Sequence, residues 1–296
     1  MTGTGFESRF ITAPDGLRLH LRDRGDRNAP RLPVICLPGL SRNEEDFETL
    51  AAALAGDAAA PRRVIAMDLR GRGRSDRDRN PDNYAIEVEA DDVIAVIAAV
   101  EAAPAVIVGT SRGGLVAMAL AAKHPRAVAG VVLNDIGPVI EPKGMMRIKG
   151  YVGRMPEPRS FEEGAEILRR TSDAQFPKLE AADWLVAAKR NWREVDGRFL
   201  TTYDPAISKS LEDISPDKPL ATYWKNFDAV GQMPALVIRG LNSDILSPET
   251  VQAMQARHPD MDLYEVADQG HAPLLDDQQS ITRIATFIAE CDALYE

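Results

Sequence analysis

Short apolar runs alternate with longer amphipathic stretches through the first half of the chain. Residues 17–23 alternate apolar Leu17, Leu19 and Leu21 with polar Arg18, His20 and Arg22, the pattern of a half-buried strand. Val34–Leu37, closed by Pro38-Gly39, and then Val64–Met67, Ala105–Val108 and Val128–Leu133 are short apolar runs of the length expected for strands covered on both faces. Between them, residues 44–54 set Phe47, Leu50, Ala51 and Leu54 at helical spacing. Residues 86–102 put Val93, Ile94, Ile97 and Val100 on one helical face, and residues 114–123 read as a helix that stops before Pro125.

The alternation then breaks. From residue 137 to 233 there are helical segments (161–170 and 181–193) but no convincing apolar strand, and Pro156, Pro158, Pro205, Pro216 and Pro219 punctuate the stretch. Afterwards it resumes with a strand at 235–239, a helix at 248–257, a strand at 262–266 and a helix at 278–291. Strands alternating with helices predict an α/β fold, a mostly parallel central sheet with helices on both faces. The expected core comprises residues 1–136 and 234–296, interrupted by a mostly helical insertion over residues 137–233.

Composition narrows the functional classes. The 296 residues carry a formal charge of −10, which argues against a nucleic-acid partner, since a phosphate backbone wants a basic face. The arginines between Arg70 and Arg79 are interleaved with Asp76 and Asp78 and read as a solvated loop. Two cysteines, Cys36 and Cys291, imply no disulfide framework. Residues 1–10 lack the apolar core of a secretory leader. The longest apolar candidate, residues 93–108, is broken by Glu101 and Pro104, short of the roughly 20 residues needed to cross a bilayer. A cytoplasmic protein with no membrane association is expected.

The strongest chemical signal is Gly109-Thr110-Ser111-Arg112-Gly113, lying between a strand and a helix. A nucleophile on a sharp strand-to-helix turn holds a strained backbone, and a Cβ at the flanking glycines would clash. The gain is an exposed hydroxyl beside the positive end of a helix, where N–H groups can face a developing oxyanion. A serine needs a base, and four histidines are available. His20 sits in an alternating strand and reads as a satisfied structural group. His124 and His258 each precede a proline at a helix end, where an imidazole serves the helix dipole. His271, in Asp268-Gln269-Gly270-His271-Ala272-Pro273, follows the last expected strand, and loops at the carboxyl ends of parallel strands are where open α/β sheets build their sites. It is the expected general base.

The carboxylate that should fix the imidazole is read as Asp244, which follows the penultimate strand and precedes His271. Asp135, at the end of the strand over residues 128–133, competes for that role. Asp268 is close to His271 only in sequence.

With nucleophile, acid and histidine in this order, the chain resembles the α/β-hydrolase superfamily from about residue 10 to 291. It is most similar to the capped small carboxylesterases, enol-lactonases and carbon–carbon bond hydrolases. Pro38-Gly39-Leu40, the loop Asp68-Leu69-Arg70-Gly71-Arg72-Gly73-Arg74-Ser75 and the loop over residues 240–247 fit that resemblance. It implies an oxyanion hole formed by the N–H groups of Leu40 and Arg112, and a cap over the pocket formed by residues 137–233. Two positions depart from it. Many relatives carry His-Gly where this chain has Pro38-Gly39, and an uncharged residue where it has Arg112. Arg112 either pairs with an acidic neighbour or faces the pocket and favours a carboxylate-bearing substrate.

Other patterns fail on inspection. Gly71-Arg72-Gly73-Arg74-Ser75-Asp76 lacks the third glycine of a dinucleotide loop, and neither a Walker sequence nor H-E-x-x-H occurs. No cofactor and no metal are expected. Among the aromatic residues Trp184, Trp192, Tyr203, Tyr223, Trp224 and Phe227 of the insertion, Trp224 is the first choice to face substrate. Arg147, Lys149 and Arg154 read as a solvated face. The expected activity is serine-dependent hydrolysis of a small-molecule ester or lactone. Hydrolytic cleavage of a carbon–carbon bond and ligand binding without turnover are the alternatives.

Overall fold

The computed structural model describes residues 6–215 and 217–295. Residues 1–5, read above as part of a segment with no leader, and Pro216, read as punctuation, lie outside the described residues.

Eight strands form one sheet: β1 (Glu7–Thr12), β2 (Arg18–Arg24), β3 (Val34–Leu37), β4 (Val64–Met67), β5 (Ala105–Thr110), β6 (Val128–Asn134), β9 (Ala235–Gly240) and β10 (Asp262–Val266). Their order across the sheet is β1-β2-β4-β3-β5-β6-β9-β10. The β1–β2 and β2–β4 pairings are antiparallel, and every later neighbour is parallel. The central strands are apolar throughout because both faces are covered, and alternation decides only which layer each side chain enters. Ile35, Leu37, Ile65, Met67, Ile107, Val131, Leu133 and Val237 pack with α2 (Ile86–Ala99) and α3 (Arg112–Lys123). Val34, Cys36, Val64, Ala66, Val106, Val108, Val132 and Leu236 pack on the other face with α1 (Glu48–Gly56) and α9 (Gln278–Ala293). A further helix of the core, α8 (Pro248–Arg257), joins β9 to β10 and is capped by Ser247, whose Oγ accepts from Thr250 N.

Between β6 and β9 the chain forms α4 (Pro142–Tyr151), α5 (Phe161–Ser172), α6 (Ala181–Asn191), a hairpin of β7 (Trp192–Val195) and β8 (Arg198–Thr201), and α7 (Trp224–Val230). The hairpin corrects the strand-free reading of this segment, and the helix expected to reach residue 193 ends at Asn191. Helices α5 and α6 and the hairpin share a small core of Ala188, Trp192 and Phe199, with Phe161 edge-on to Phe199 at 4.9 Å. Helix α7 instead packs on α3 and sends Phe227 and Val230 into the main core. The insertion is stitched to the sheet by Gly73 N donating to Thr202 O (2.7 Å), Asn43 Nδ2 to Arg190 O (2.8 Å) and Tyr84 Oη to Asp204 Oδ2 (2.6 Å). Among the described residues, no helix is long and apolar enough to cross a membrane.

Candidate active site

The turn from β5 to α3 delivers Ser111 at the carboxyl edge of the sheet. Its backbone lies at φ 50°, ψ −112°, a region that favours glycine, so the turn has to be held from outside. Ser111 N donates to Asn134 O (2.9 Å), and Gly114 N and Leu115 N close on Ser111 O. The flanking glycines are obligatory. A Cβ on Gly113 would stand 2.1 Å from Leu37 O, and one on Gly109 would stand 2.5 Å from Gly113 O.

His271 comes from the loop after β10, where the sequence placed it. Its Nε2 lies 2.8 Å from Ser111 Oγ. Asn134 anchors this loop from β6, giving one Nδ2 hydrogen bond to Pro273 O (2.9 Å) and another to Thr110 Oγ1 (3.0 Å). Ser111 and His271, 160 residues apart in the chain, therefore meet in space.

The carboxylate on the imidazole is Asp135, which corrects the reading of Asp244. Asp135 Oδ2 lies 2.8 Å from His271 Nδ1. Asp135 is fully buried, and it also accepts from Gly240 N (2.9 Å, on Oδ1) and Ser243 Oγ (2.5 Å, on Oδ2). Three hydrogen-bond contacts on its two oxygens fix its orientation. Asp244 is engaged elsewhere. It receives both Nε (2.7 Å) and Nη2 (2.8 Å) of Arg147, on α4. Burial pushes the Asp244 carboxyl up, but the hydrogen bonds and charge of Arg147 outweigh that and hold it below its ordinary value. Asp244 stays near the imidazole electrostatically without bonding to its ring.

Arg112 and Leu40, the residues expected to supply the oxyanion N–H groups, both border Ser111. The Arg112 N–H opens the first turn of α3, where amides have no carbonyl partner within the helix. Gly39, next to Leu40, lies so close that a methyl placed on it would be 3.8 Å from Ser111 Cβ. A buried ion network ties the two positions together. Arg72 donates through Nε to Leu40 O (2.9 Å) and through Nη1 to Glu89 Oε1 (2.6 Å), while Glu89 Oε2 accepts from Arg112 Nε (2.6 Å). Glu89 is fully buried. Desolvation pushes its carboxyl up, but Arg112 and Arg72 together hold it below the usual range.

The side chain of Arg112 thus takes the paired arrangement, with Nη2 spent on Tyr84 O (2.7 Å), rather than the pocket-facing one. Trp224 does not emerge as a substrate contact either. Its ring lies under Arg257, 4.2 Å from the guanidinium carbon to the ring centre, and edge-on to Phe227. Sequence reasoning read Arg147 as part of a solvated face, where it instead pairs with Asp244, and passed over Gln175. The Gln175 side chain reaches His271 N (Oε1 accepting, 3.3 Å) and helps hold the Asp244 carboxyl down. Nothing in the sequence around Gln175 marks it, because its role depends on how the insertion folds back.

His20 is a buried structural group, as expected, held between Ser8 Oγ (2.9 Å) and Asp68 Oδ2 (2.8 Å). With Glu44 and Asp68 it forms a set compact enough to hold a metal ion. Hydrogen bonds already account for its donor atoms, since Asp68 also accepts from Glu44 N and Arg74 N (2.9 Å each). A Ser–His–Asp chain of this geometry can deprotonate the serine hydroxyl and add it to a carbonyl carbon.

Comparison with known proteins agrees with this geometry. The chain is 34% identical over 277 residues to the 3-hydroxybutyrate-oligomer hydrolase of Cupriavidus necator, covering 91% of this chain and 92% of that protein. It is 24% identical to the 2-(acetamidomethylene)succinate hydrolase of Mesorhizobium japonicum over 86% of this chain and 85% of that one. The crystal structure of an alpha/beta hydrolase from Novosphingobium aromaticivorans superposes with a TM-score of 0.88 at 40% identity, covering 96% of this chain and 98% of that one. The family model for the alpha/beta hydrolase fold matches residues 33–278. On these grounds, and on a mostly parallel sheet carrying Ser111 at its strand-to-helix turn, the chain belongs to the alpha/beta hydrolase fold family.

Proposed function

We propose that the protein is a serine esterase acting through an acyl-enzyme at Ser111, and that its substrates are short hydroxyacid esters of the 3-hydroxybutyrate oligomer type. The observation that carries the reading is the unbroken relay from Ser111 Oγ to His271 Nε2 (2.8 Å) and from His271 Nδ1 to Asp135 Oδ2 (2.8 Å). His271 takes the serine proton as Ser111 Oγ bonds to the ester carbonyl carbon. The N–H groups of Leu40 and Arg112 hold the oxyanion, and the imidazolium returns the proton to the departing alkoxide. Water, deprotonated by His271, then releases the acid. Asp135 holds the imidazole's orientation and stabilises the imidazolium. The insertion serves as the cap that shapes the pocket. The substrate class is supported by the 34% identity to an oligomer hydrolase across nearly the whole of both chains.

A fluorophosphonate probe should label Ser111. Purified protein should hydrolyse p-nitrophenyl acetate and the 3-hydroxybutyrate dimer, with Ser111→Ala abolishing both. Labelling without turnover of any ester or lactone would mean a receptor that merely keeps the triad. Turnover of diketones in preference to esters would move the chemistry to carbon–carbon cleavage.

A further inference from the structure

Two arginines lie near Ser111: Arg147, paired with the Asp244 that sits within electrostatic range of His271, and Arg42, beside Gly39. Gln175 Oε1 accepts from His271 N, Arg147 grips Asp244 through two hydrogen bonds, and Tyr151 lies within electrostatic range of Arg147. Tyr151 faces a second guanidinium, that of Arg42, at electrostatic range. Arg42 lies on the Gly39 side of Ser111. The methyl that would lie 3.8 Å from Ser111 Cβ if placed on Gly39 would also lie 3.4 Å from Arg42 Cγ.

The two guanidiniums are held in the same way. Arg42 gives Nε (2.7 Å) and Nη2 (2.5 Å) to Asp46, and Arg147 gives Nε and Nη2 to Asp244. In each, one edge is gripped by an aspartate, and the Nη1 corner takes no part in that grip. Neither arginine is sealed away. Arg42 is 29% and Arg147 28% exposed, whereas Arg72, which serves the interior network, is at 0%. Tyr151 lies within electrostatic range of both, and its O–H can donate. Two cations flanking a hydroxyl donor match the acceptor-only chemistry of a carboxylate. The aspartates limit the entropy lost on binding, because they already align the guanidiniums.

We propose that Arg147, Tyr151 and Arg42 form a seat for a free carboxylate on the substrate, so that the enzyme prefers esters bearing an acid group over their neutral counterparts. This rests on the esterase reading above for its location beside Ser111, but binding to the seat does not depend on turnover. Asp244 acts as a positioning residue for Arg147, which explains why it is committed away from the imidazole ring. Arg112, the arginine that first suggested an anionic substrate, is excluded from the role by its bond to Glu89.

The test separates binding from chemistry. In the Ser111→Ala background, the dissociation constants of the 3-hydroxybutyrate dimer as free acid and as methyl ester are measured by calorimetry. The free acid should bind at least about 10-fold more tightly, the scale of a charge-assisted contact to a carboxylate. Arg147→Met should bring the ratio of the two constants close to one, Tyr151→Phe should lower it in part, and Arg147→Lys should retain part of it. Circular dichroism establishes that each variant is folded. Equal affinity for acid and methyl ester, or a ratio that survives Arg147→Met, overturns the seat. Wild-type protein that prefers the acid in binding yet cleaves no ester overturns the esterase reading and leaves the seat standing.

Discussion

Replacing Asp135 by asparagine separates the observed relay from the arrangement that the sequence favoured. Asp135 Oδ1 accepts from Gly240 N at 2.9 Å, so the amide oxygen of asparagine keeps that place and its NH2 falls where Oδ2 now receives His271 and Ser243. An NH2 there can only donate. It turns the imidazole into the tautomer with the proton on Nε2, which then points N–H at Ser111 Oγ and cannot take the serine proton. The imidazolium also loses its buried counter-charge. A wrong tautomer of this kind costs about 10⁴-fold in turnover, or roughly 5 kcal/mol of transition-state stabilisation.

Asp244→Asn gives the contrasting result. Its carboxylate makes no bond to the imidazole ring and instead holds Arg147, so kcat on p-nitrophenyl acetate should fall by less than about 10-fold, the worth of one ordinary charged interaction. Both variants are assayed with p-nitrophenyl acetate across pH, and circular dichroism establishes that the fold persists. Near-normal kcat in Asp135→Asn together with collapse in Asp244→Asn would refute the assignment and require the loop after β9 to rearrange during turnover.

Three further outcomes follow from the buried groups. Burial and the neighbouring Asp68 raise the Glu44 carboxyl to about 8, so its contribution to stability is complete below the unfolded value near 4.5 and is lost as pH rises toward 8. Glu44→Gln should remove that decline, at most about 5 kcal/mol, and urea unfolding at pH 5 and pH 8.5 should show the variant less pH-dependent than wild type; identical slopes would contradict it. Glu89→Gln weakens the pairing of two buried arginines and should cost about 3–5 kcal/mol of unfolding free energy by urea titration, where a loss under 1 kcal/mol would show the network to be dispensable. Gly113→Ala drives a methyl into Leu37 O at 2.1 Å and should cost about 3 kcal/mol or more, so recovery of soluble protein with an unchanged melting temperature would refute the tight turn.

The central strands were legible because burial on both faces leaves no polar positions to blur them, as in Val34–Leu37 and Val64–Met67. The edge strand β1 was not. Its residues 7, 8, 10 and 12 are exposed, so Glu7-Ser8-Arg9 carries no apolar signature. The β7–β8 hairpin could have been found. Asp196-Gly197, both at positive φ (50° and 75°), is the Asp-Gly turn that joins short strands, but only four residues flank it on each side and their outward positions are polar. Ser111 and His271 were legible because glycine-flanked turns and loop position constrain them locally. The acid was not, since Asp135 and Asp244 both follow strands, β6 and β9, that are neighbours in the sheet. What distinguishes them is Arg147, brought across 97 residues of chain by the fold of the insertion.

Nevertheless, the loop after β9 still serves the relay, through donors instead of a carboxylate. Gly240 N and Ser243 Oγ hold Asp135, and Ser243 Oγ in turn accepts from Ile245 N and Leu246 N (3.1 and 3.2 Å), so one hydroxyl couples the loop's shape to the carboxylate's orientation. A single imidazolium needs one counter-charge, and a second unpaired carboxylate nearby would raise the cost of ionising both. Arg147 removes that conflict by neutralising Asp244 where it stands. The same pair fastens α4 to the core at a point where the backbones nearly touch, since a Cβ on Gly144 would lie 2.2 Å from Asp244 O. Asp135 projects from the first residue beyond β6, with no slack between sheet and imidazole. Asp244 lies farther along a loop, free to meet the insertion. The two carboxylates thus divide the work according to the stiffness of their attachments. The rigid one meets the imidazole, and the one on the loop joins the core to the insertion.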